Sequence, residues 1–494
     1  MKRLAAIAMG LMASACAVGP DYARPATPGG QLATGGFAEA QASAAVSQAP
    51  LPDAWWRLYD DPAIDRLVTE ALTYNTDVRQ AAANLRRARA VLSEARGARL
   101  PTTDLSAQYT RSRTGGNSIN AQGFGVPGNT AIPSFENDLF SLGFDAAYEL
   151  DLFGRVGRSI EAANADAASA AAQVDAARTS VAAETARAYA QVCSNAAQAI
   201  VARDTIRLQQ QTVDLTRRLF EAGRGQRRDL ERAIALLAQT EADLPSLEAE
   251  RRAALYALAT LTGKPPADID AVAAACTTPP RVAEVLPVGD GAALIARRPD
   301  VRAAERLLAA DTARIGVATA ALYPNISLLG GVNLTSVAAD NLIDDDSFGF
   351  SLGPLISWSF PNVTAVRARI RQSEATAEGS LAAFDGVVLT ALREVEQALA
   401  RYAGELTRNR ALVRAERASS EAARLSKLRF DYGAESFLQL IESEQERAQN
   451  RAALAASNAV LSDAQVTLFK ALGGGWADAP EPVRREDQAA ATAS

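Results

Sequence analysis

Between residues 155 and 220 the chain runs without a proline and is dominated by alanine. At 1.5 Å per residue, about 65 residues make a helix of roughly 100 Å, which an ordinary compact domain cannot contain. Val201, Leu208 and Leu215 recur every seven residues, as do Leu230, Leu237 and Leu244 further on. That is coiled-coil spacing, and alanine at other seam positions lets helices approach closely. Pro245 is expected to kink the second helix. Gly223 sits where the chain must reverse, as helix C-terminal glycines do.

The same plan occurs twice. Asp77-Val78-Arg79 matches Asp300-Val301-Arg302, and residues 77–105 align on 300–328 with ten identities, Pro101 on Pro324 among them. Further on the offset changes to 210: Phe140-Ser141-Leu142-Gly143 matches Phe350-Ser351-Leu352-Gly353, and Glu184/Glu394, Phe220/Phe430, Gly223/Gly433 and Gly263/Gly473 follow. The first copy therefore carries 13 extra residues between about 106 and 139, in a Gly/Asn/Ser/Pro-rich stretch that reads as an exposed loop. The second-copy helices are expected at about 363–432 and 435–472.

Each copy also predicts a pair of strands. In 347–360, Phe348, Phe350, Leu352, Ile356, Trp358 and Phe360 fall on one face, against Ser347, Gly349, Ser351, Ser357 and Ser359. Residues 140–152 repeat this, with Phe140, Leu142, Phe144, Tyr148 and Leu150 opposing Ser141, Gly143, Asp145, Glu149 and Asp151. Segments 104–110 and 325–335 are the weaker partners. Long strands that are apolar on one side and polar on the other suit a barrel with lipid outside and water inside. Four strands are too few to close around a pore, so the pattern calls for oligomerisation.

Composition narrows the chemistry. The 494 residues include no histidine, which lowers the prospect of acid–base catalysis near neutral pH and of zinc or copper sites. With a net charge of −6 and no basic patch, nucleic acid is not an expected partner. No nucleophile motif, phosphate loop or metal cluster is found, so neither an enzyme nor a cofactor is expected. Cys193 reads as a small buried residue and Cys276 as a free thiol in a proline-rich connector.

Lys2 and Arg3 followed by a short apolar stretch form a secretory signal. No later apolar run is long enough for a membrane helix. Ala13-Ser14-Ala15-Cys16 resembles a lipobox, with Cys16 as the acylated residue, although the same letters also read as an ordinary A-x-A cleavage site.

Several motifs carry a family resemblance. Trp55-Trp56, Asp61-Pro62, Leu67, Ala71-Leu72, Asn75 and Asp77 resemble the opening motif of outer membrane factors of the TolC/OprM-like, NodT-type family. Asp151-Leu152-Phe153-Gly154-Arg155 resembles their strand-to-helix junction. Arg297-Arg298-Pro299-Asp300-Val301, with Tyr323-Pro324 later, resembles the start of the second copy.

The resemblance implies a mostly α fold with membrane β: a homotrimer with a twelve-stranded outer-membrane barrel, a long α-helical barrel and an equatorial collar. It implies a periplasmic adaptor and an inner-membrane pump as partners, and outer-membrane lipid around the barrel. On that frame the segments are a signal peptide (1–15), a lipidated tether (16–53), a first repeat (54–264), a connector (265–292), a second repeat (293–476) and a disordered tail (477–494). Segments 17–53 and 477–494 are expected to be irregular. A gate at the hairpin ends would fall on Glu442 and Gln439, with Asp229 at the first-copy position. Adaptor contact would fall on Gly223, Arg224, Gly433 and Glu435. Asp145, Glu149 and Asp151 are expected to line the lumen. The rival is a lipid-anchored periplasmic adaptor, which would carry one helical hairpin instead of two.

Overall fold

The computed structural model describes residues 17–114, 134–282, 285–361 and 363–483. The main helices are α1 (Pro62–Tyr74), α2 (Thr76–Gly97), α3 (Arg155–Glu221), α4 (Arg227–Leu261), α5 (Pro299–Ala320), α6 (Val363–Asp431) and α7 (Phe437–Ala471). The main strands are β1 (Thr102–Thr114), β2 (Phe135–Leu150), β3 (Asn325–Ser336) and β4 (Phe348–Ser357). Helices α3 and α6 contain 67 and 69 residues, and each is followed by a helix of 35, so the duplicated hairpins are present. The extra loop expected in the first copy lies largely outside the described residues.

Compactness divides the chain into two units, and each draws on both copies. The first comprises residues up to Arg24, Arg87–Ala167 and Leu307–Ser380. It holds one antiparallel sheet in the order β1-β2-β3-β4. Helix contacts beside it use small residues: Leu92 packs on Ala163 and Ala167, and Ala165 packs on Ala309 and Ala310 with Tyr22 against them. Two of the family motifs meet here, because Phe153 stacks on Tyr323 with ring centroids 4.5 Å apart.

The second unit comprises Pro25–Arg86, Ala168–Arg306 and the residues from Leu381 on. Its core explains the opening motif. Trp55 is fully buried and stacks on Phe469 at 4.9 Å. Asp61 accepts the Ala63 N–H at 2.9 Å and caps α1, with Pro62 at the first helical position. Asn75 accepts from the Asp77 N–H and donates to the Leu261 carbonyl, tying α1, α2 and α4 together. These residues build the fold. Arg298, also buried, pairs with Asp300 at 2.6 Å and Glu394 at 2.8 Å.

Four expectations need correction. Residues 17–53 are not simply irregular: they form helices Gln31–Thr34 and Ala38–Ala42, and Val46–Ser47 pairs in parallel with Leu286–Pro287. The cause is apolar anchoring, since Phe37 and Leu51 enter the core. At the other end, 477–483 is held in place: the Asp53 carboxylate accepts the Ala477 and Asp478 N–H groups, and Val483 donates to the Thr73 carbonyl. Residues 484–494 lie outside the described set.

Cys193 and Cys276 form a disulfide, with Cα atoms 4.9 Å apart. Cys276 is not a free thiol because the connector is ordered beside it, where Asp270 caps a short helix, Ala271–Ala275. Arg66 also holds Asp270 at 2.9 Å, and Ala273 is fully buried, which seats Cys276 on α3. Finally, α6 does contain an 18-residue stretch with mean hydropathy of 1.2, apolar enough by length and composition to span a membrane. The same helix buries Phe384, Val388, Leu392 and Val395 in the core, whereas Leu381 and Leu389 stay exposed.

Candidate channel sheet and hairpin tips

Register turns the strand patterns into faces. Leu105, Phe144, Val332 and Phe350 lie directly across from one another on the four strands. Ala107, Leu142, Leu334 and Phe348 form the adjacent row. Leu105 is 73% and Phe350 75% exposed, so large apolar groups face outward with nothing from the described chain over them. The opposite face carries Asp104, Asp145, Gly331 and Ser351 in one row, and Ser106, Gly143, Asn333 and Gly349 in another. Toward one rim of the apolar face, Tyr109 lies beside Phe140 and donates to Asp138, and Arg111 pairs with Glu136 at 2.6 Å. An aromatic pair followed by charges is the order expected from lipid tails to headgroups.

The three expected lumen acids do not form a cluster. Asp145 is exposed on the polar face directly opposite Asp104, which the sequence reading missed. Glu149 pairs with Arg155 through Nε and Nη2. Asp151 accepts the Val156 N–H at 2.9 Å and the Gly157 N–H at 2.7 Å, so it caps the start of α3.

The junction also receives the N-terminal segment. Ala17 lies so close to Gly154 that a Cβ there would meet the Ala17 Cα at 2.7 Å. Val18 donates to the Phe153 carbonyl, and Arg158 donates to Asp21 at 2.6 Å. Cys16 itself lies outside the described residues.

Both hairpin turns use a left-handed glycine, Gly223 at φ 70° and Gly433 at φ 72°. In the first, Gly223 donates to Phe220 and Arg224 to Leu219; in the second, Gly433 donates to Phe430 and Ala434 to Arg429. This pair of bonds closes the helix end and leaves the glycine exposed at the tip. Glu435 turns inward and is held by Ser426 at 2.8 Å and Arg429 at 3.3 Å. Arg224 is exposed.

Of the two acids among the gate candidates, Glu442 is exposed and has no ion pair among the described residues. The Gln439 side chain accepts from the Ser436 N–H, completing a capping box at the start of α7. Asp229 is half-buried beside Arg228, 3.7 Å away. Two residues beyond Glu442, Glu444 pairs with Arg447, and burial pushes its carboxyl up although Arg447 and Lys427 pull it down. Its helical spacing from Leu440 and Ile441 could have signalled that burial. Beneath the tips Val213, Ala233 and Ile441 form one apolar cluster, with Phe437 against it.

A one-faced apolar sheet joined to two long helical hairpins defines a TolC-like channel subunit, and two hairpins are one more than the adaptor reading allows. The chain belongs to the outer membrane efflux protein family, which it matches over residues 67–264 and 292–474. Nodulation protein T of Rhizobium leguminosarum bv. viciae is 30% identical over 492 residues, spanning 100% of this chain and 97% of that protein. Outer membrane protein OprJ of Pseudomonas aeruginosa is also 30% identical, over 96% of each. Among solved structures, the outer-membrane channel OprN matches with a TM-score of 0.84 at 35% identity, covering 93% of this chain and 100% of that one. The open-state MtrE channel of Neisseria gonorrhoeae matches at 0.81 and 28% identity, covering 93% and 99%.

Proposed function

We propose that the protein is one subunit of a homotrimeric exit duct in the outer membrane, passing small molecules outward for an inner-membrane pump coupled through a periplasmic adaptor. The observation that carries this is the uncovered apolar face from Leu105 to Phe350, on a sheet whose outer strands β1 and β4 each have one unpaired edge. Such edges must pair or be covered, and three chains supply twelve strands, enough for a water-filled barrel. The activity proposed is conduction, with no covalent step.

Cys16 is the proposed acylation site. The docking of Ala17 on Gly154 at the strand-to-helix junction supports this, because it would deliver the acyl chains close to where the apolar strands end. Asp145 is proposed to face the lumen together with Asp104. Glu442 is the proposed gate acid, repeated around the threefold axis, with Asp229 and Gln439 beside it. The adaptor is proposed to contact the tips at Gly223, Arg224 and Gly433, with Glu435 shaping the second turn from inside.

The decisive experiment is the native mass of the full-length protein extracted from outer membranes in mild detergent, followed by conductance in planar bilayers. A trimer forming pores is expected. A stable monomer, with its apolar face still bare, would overturn the duct.

A further inference from the structure

The second unit contains a cavity of about 480 Å³ walled by α3, α4 and α7. One of its walls holds Gln209, only 5% exposed, whose side-chain Oε1 and Nε2 have no hydrogen-bond partner among the described residues. Leaving a buried amide unpaired is destabilising, so the position is poor as core and suited to receiving something. We propose that this cavity binds a small neutral organic molecule bearing a primary amide, lactam or urea, with that group paired to the Gln209 amide.

The chemistry follows from the lining. Gln209 offers an acceptor and a donor side by side, and an amide, lactam or urea returns a donor and an acceptor at the same spacing. Neighbouring hydroxyls are already committed as donors: Thr205 to the Val201 carbonyl at 2.9 Å and Thr240 to the Leu236 carbonyl at 3.3 Å. They can accept but not compete. Ala202, Leu247, Ala448, Ala452 and Ala456 supply an apolar bed for the rest of the molecule. No lysine or arginine lines the cavity, and its single charge is the Asp243 carboxylate. An anion is therefore disfavoured by repulsion and by burial without a partner.

Pro245 adds room. Lacking an N–H, it leaves the Glu241 carbonyl without its helical donor, in the same turns of α4 that contribute Asp243 and Ser246 to the wall. Helix α4 belongs to the first copy and α7 to the second, so an occupant bridges the two hairpins. The inference does not depend on the duct reading.

The test uses the full-length protein in detergent, with benzamide and benzoate as probes of equal shape, followed by saturation-transfer NMR. Benzamide is expected to bind, benzoate to bind at least tenfold more weakly, and Gln209→Leu to lose benzamide by a similar factor. Photolabelling with 4-azidobenzamide, with and without excess benzamide, should mark peptides within 198–209, 236–247 or 445–456. It also maps the site in the unsubstituted protein, should Gln209→Leu fail to fold. Equal binding of benzoate, undiminished binding to a folded Gln209→Leu protein, labelling confined to other segments, or no binding of either probe would each overturn the proposal.

Discussion

At Gly223 and at Gly433 the backbone does the same thing, down to the two hydrogen bonds that close each helix end. The side chains around the two turns have diverged. Where the first tip has Arg227, Arg228 and Arg232, the second has Phe437, Leu438 and Glu442. Glu231 is solvated and pairs with Arg227, but its counterpart Ile441 is buried in the cluster beneath the tips. Ile234 is 38% exposed, but its counterpart Glu444 is largely buried. Duplication has thus kept what the turn geometry demands and released what only surroundings demand. Both hairpins contribute to the shared core, but the second adds Ile441 where the first keeps a solvated Glu231, and the first presents cationic charge to solvent.

Ile441→Ala should show this contrast most strongly. Emptying a buried isoleucine site costs about 3 kcal/mol, whereas Glu231→Ala, at a solvated position, should change stability by less than about 0.5 kcal/mol. Hydrogen–deuterium exchange over 436–450 and 227–240 reads both. Equal loosening by the two substitutions would show that the hairpins are not seated differently.

The glycines test the part that is shared. An added Cβ meets nothing within 4 Å at Gly223 or at Gly433, so alanine there suffers only the left-handed backbone. That conformation costs roughly 1–2 kcal/mol in an L residue. Gly223→Ala and Gly433→Ala should raise the rate of limited proteolysis at their own turns by similar factors. A large effect at one turn alone would mean that the backbone likeness conceals a difference in constraint.

Much of this fold was legible because it rests on periodicity and punctuation. Missing proline, heptad leucines, alternating strand residues and turn glycines each act locally, and the helix and strand limits fell within a few residues of expectation. Roles set by which group a side chain finally pairs with were not legible. Asp151 looked like a lumen acid because alternation placed it on the polar face, but the free N–H groups of Val156 and Gly157 claim it. Asp104 went unnoticed until register set it opposite Asp145. Cys276 looked free because its partner is 83 residues away, on the far side of the first hairpin's turn and the whole of α4. Gln439 suggested a gate by position, yet the capping box uses its side chain.

That capping box distinguishes the hairpins again, at lower energy. Ser436 caps α7, whereas Gln226 at the start of α4 makes no side-chain cap. Ser436→Ala should destabilise the first turn of α7 by about 1 kcal/mol, and Gln226→Ser should stabilise that of α4 by up to a comparable amount. Amide exchange in the two first turns checks both. If Gln226→Ser has no effect, the first turn of α4 is already held by other means.

The smallest expected difference is in pH response. Burial raises the Glu444 carboxyl above its ordinary value of 4.5, and Arg447 and Lys427 only partly offset this. A raised acid in the folded protein takes up its proton before the same group in the unfolded chain does. Its stabilising contribution is therefore fully present below 4.5 and is lost as pH rises through the folded value. The first hairpin has Ile234 at this position and cannot respond through it. After correction for intrinsic exchange, acidification from neutral pH should slow exchange over the start of α7 more in the native protein than in Glu444→Gln. The same comparison over the start of α4 should show no such difference. If Glu444→Gln leaves the pH dependence of α7 unchanged, another group governs it and the buried acid is held by Arg447 strongly enough to stay ionised.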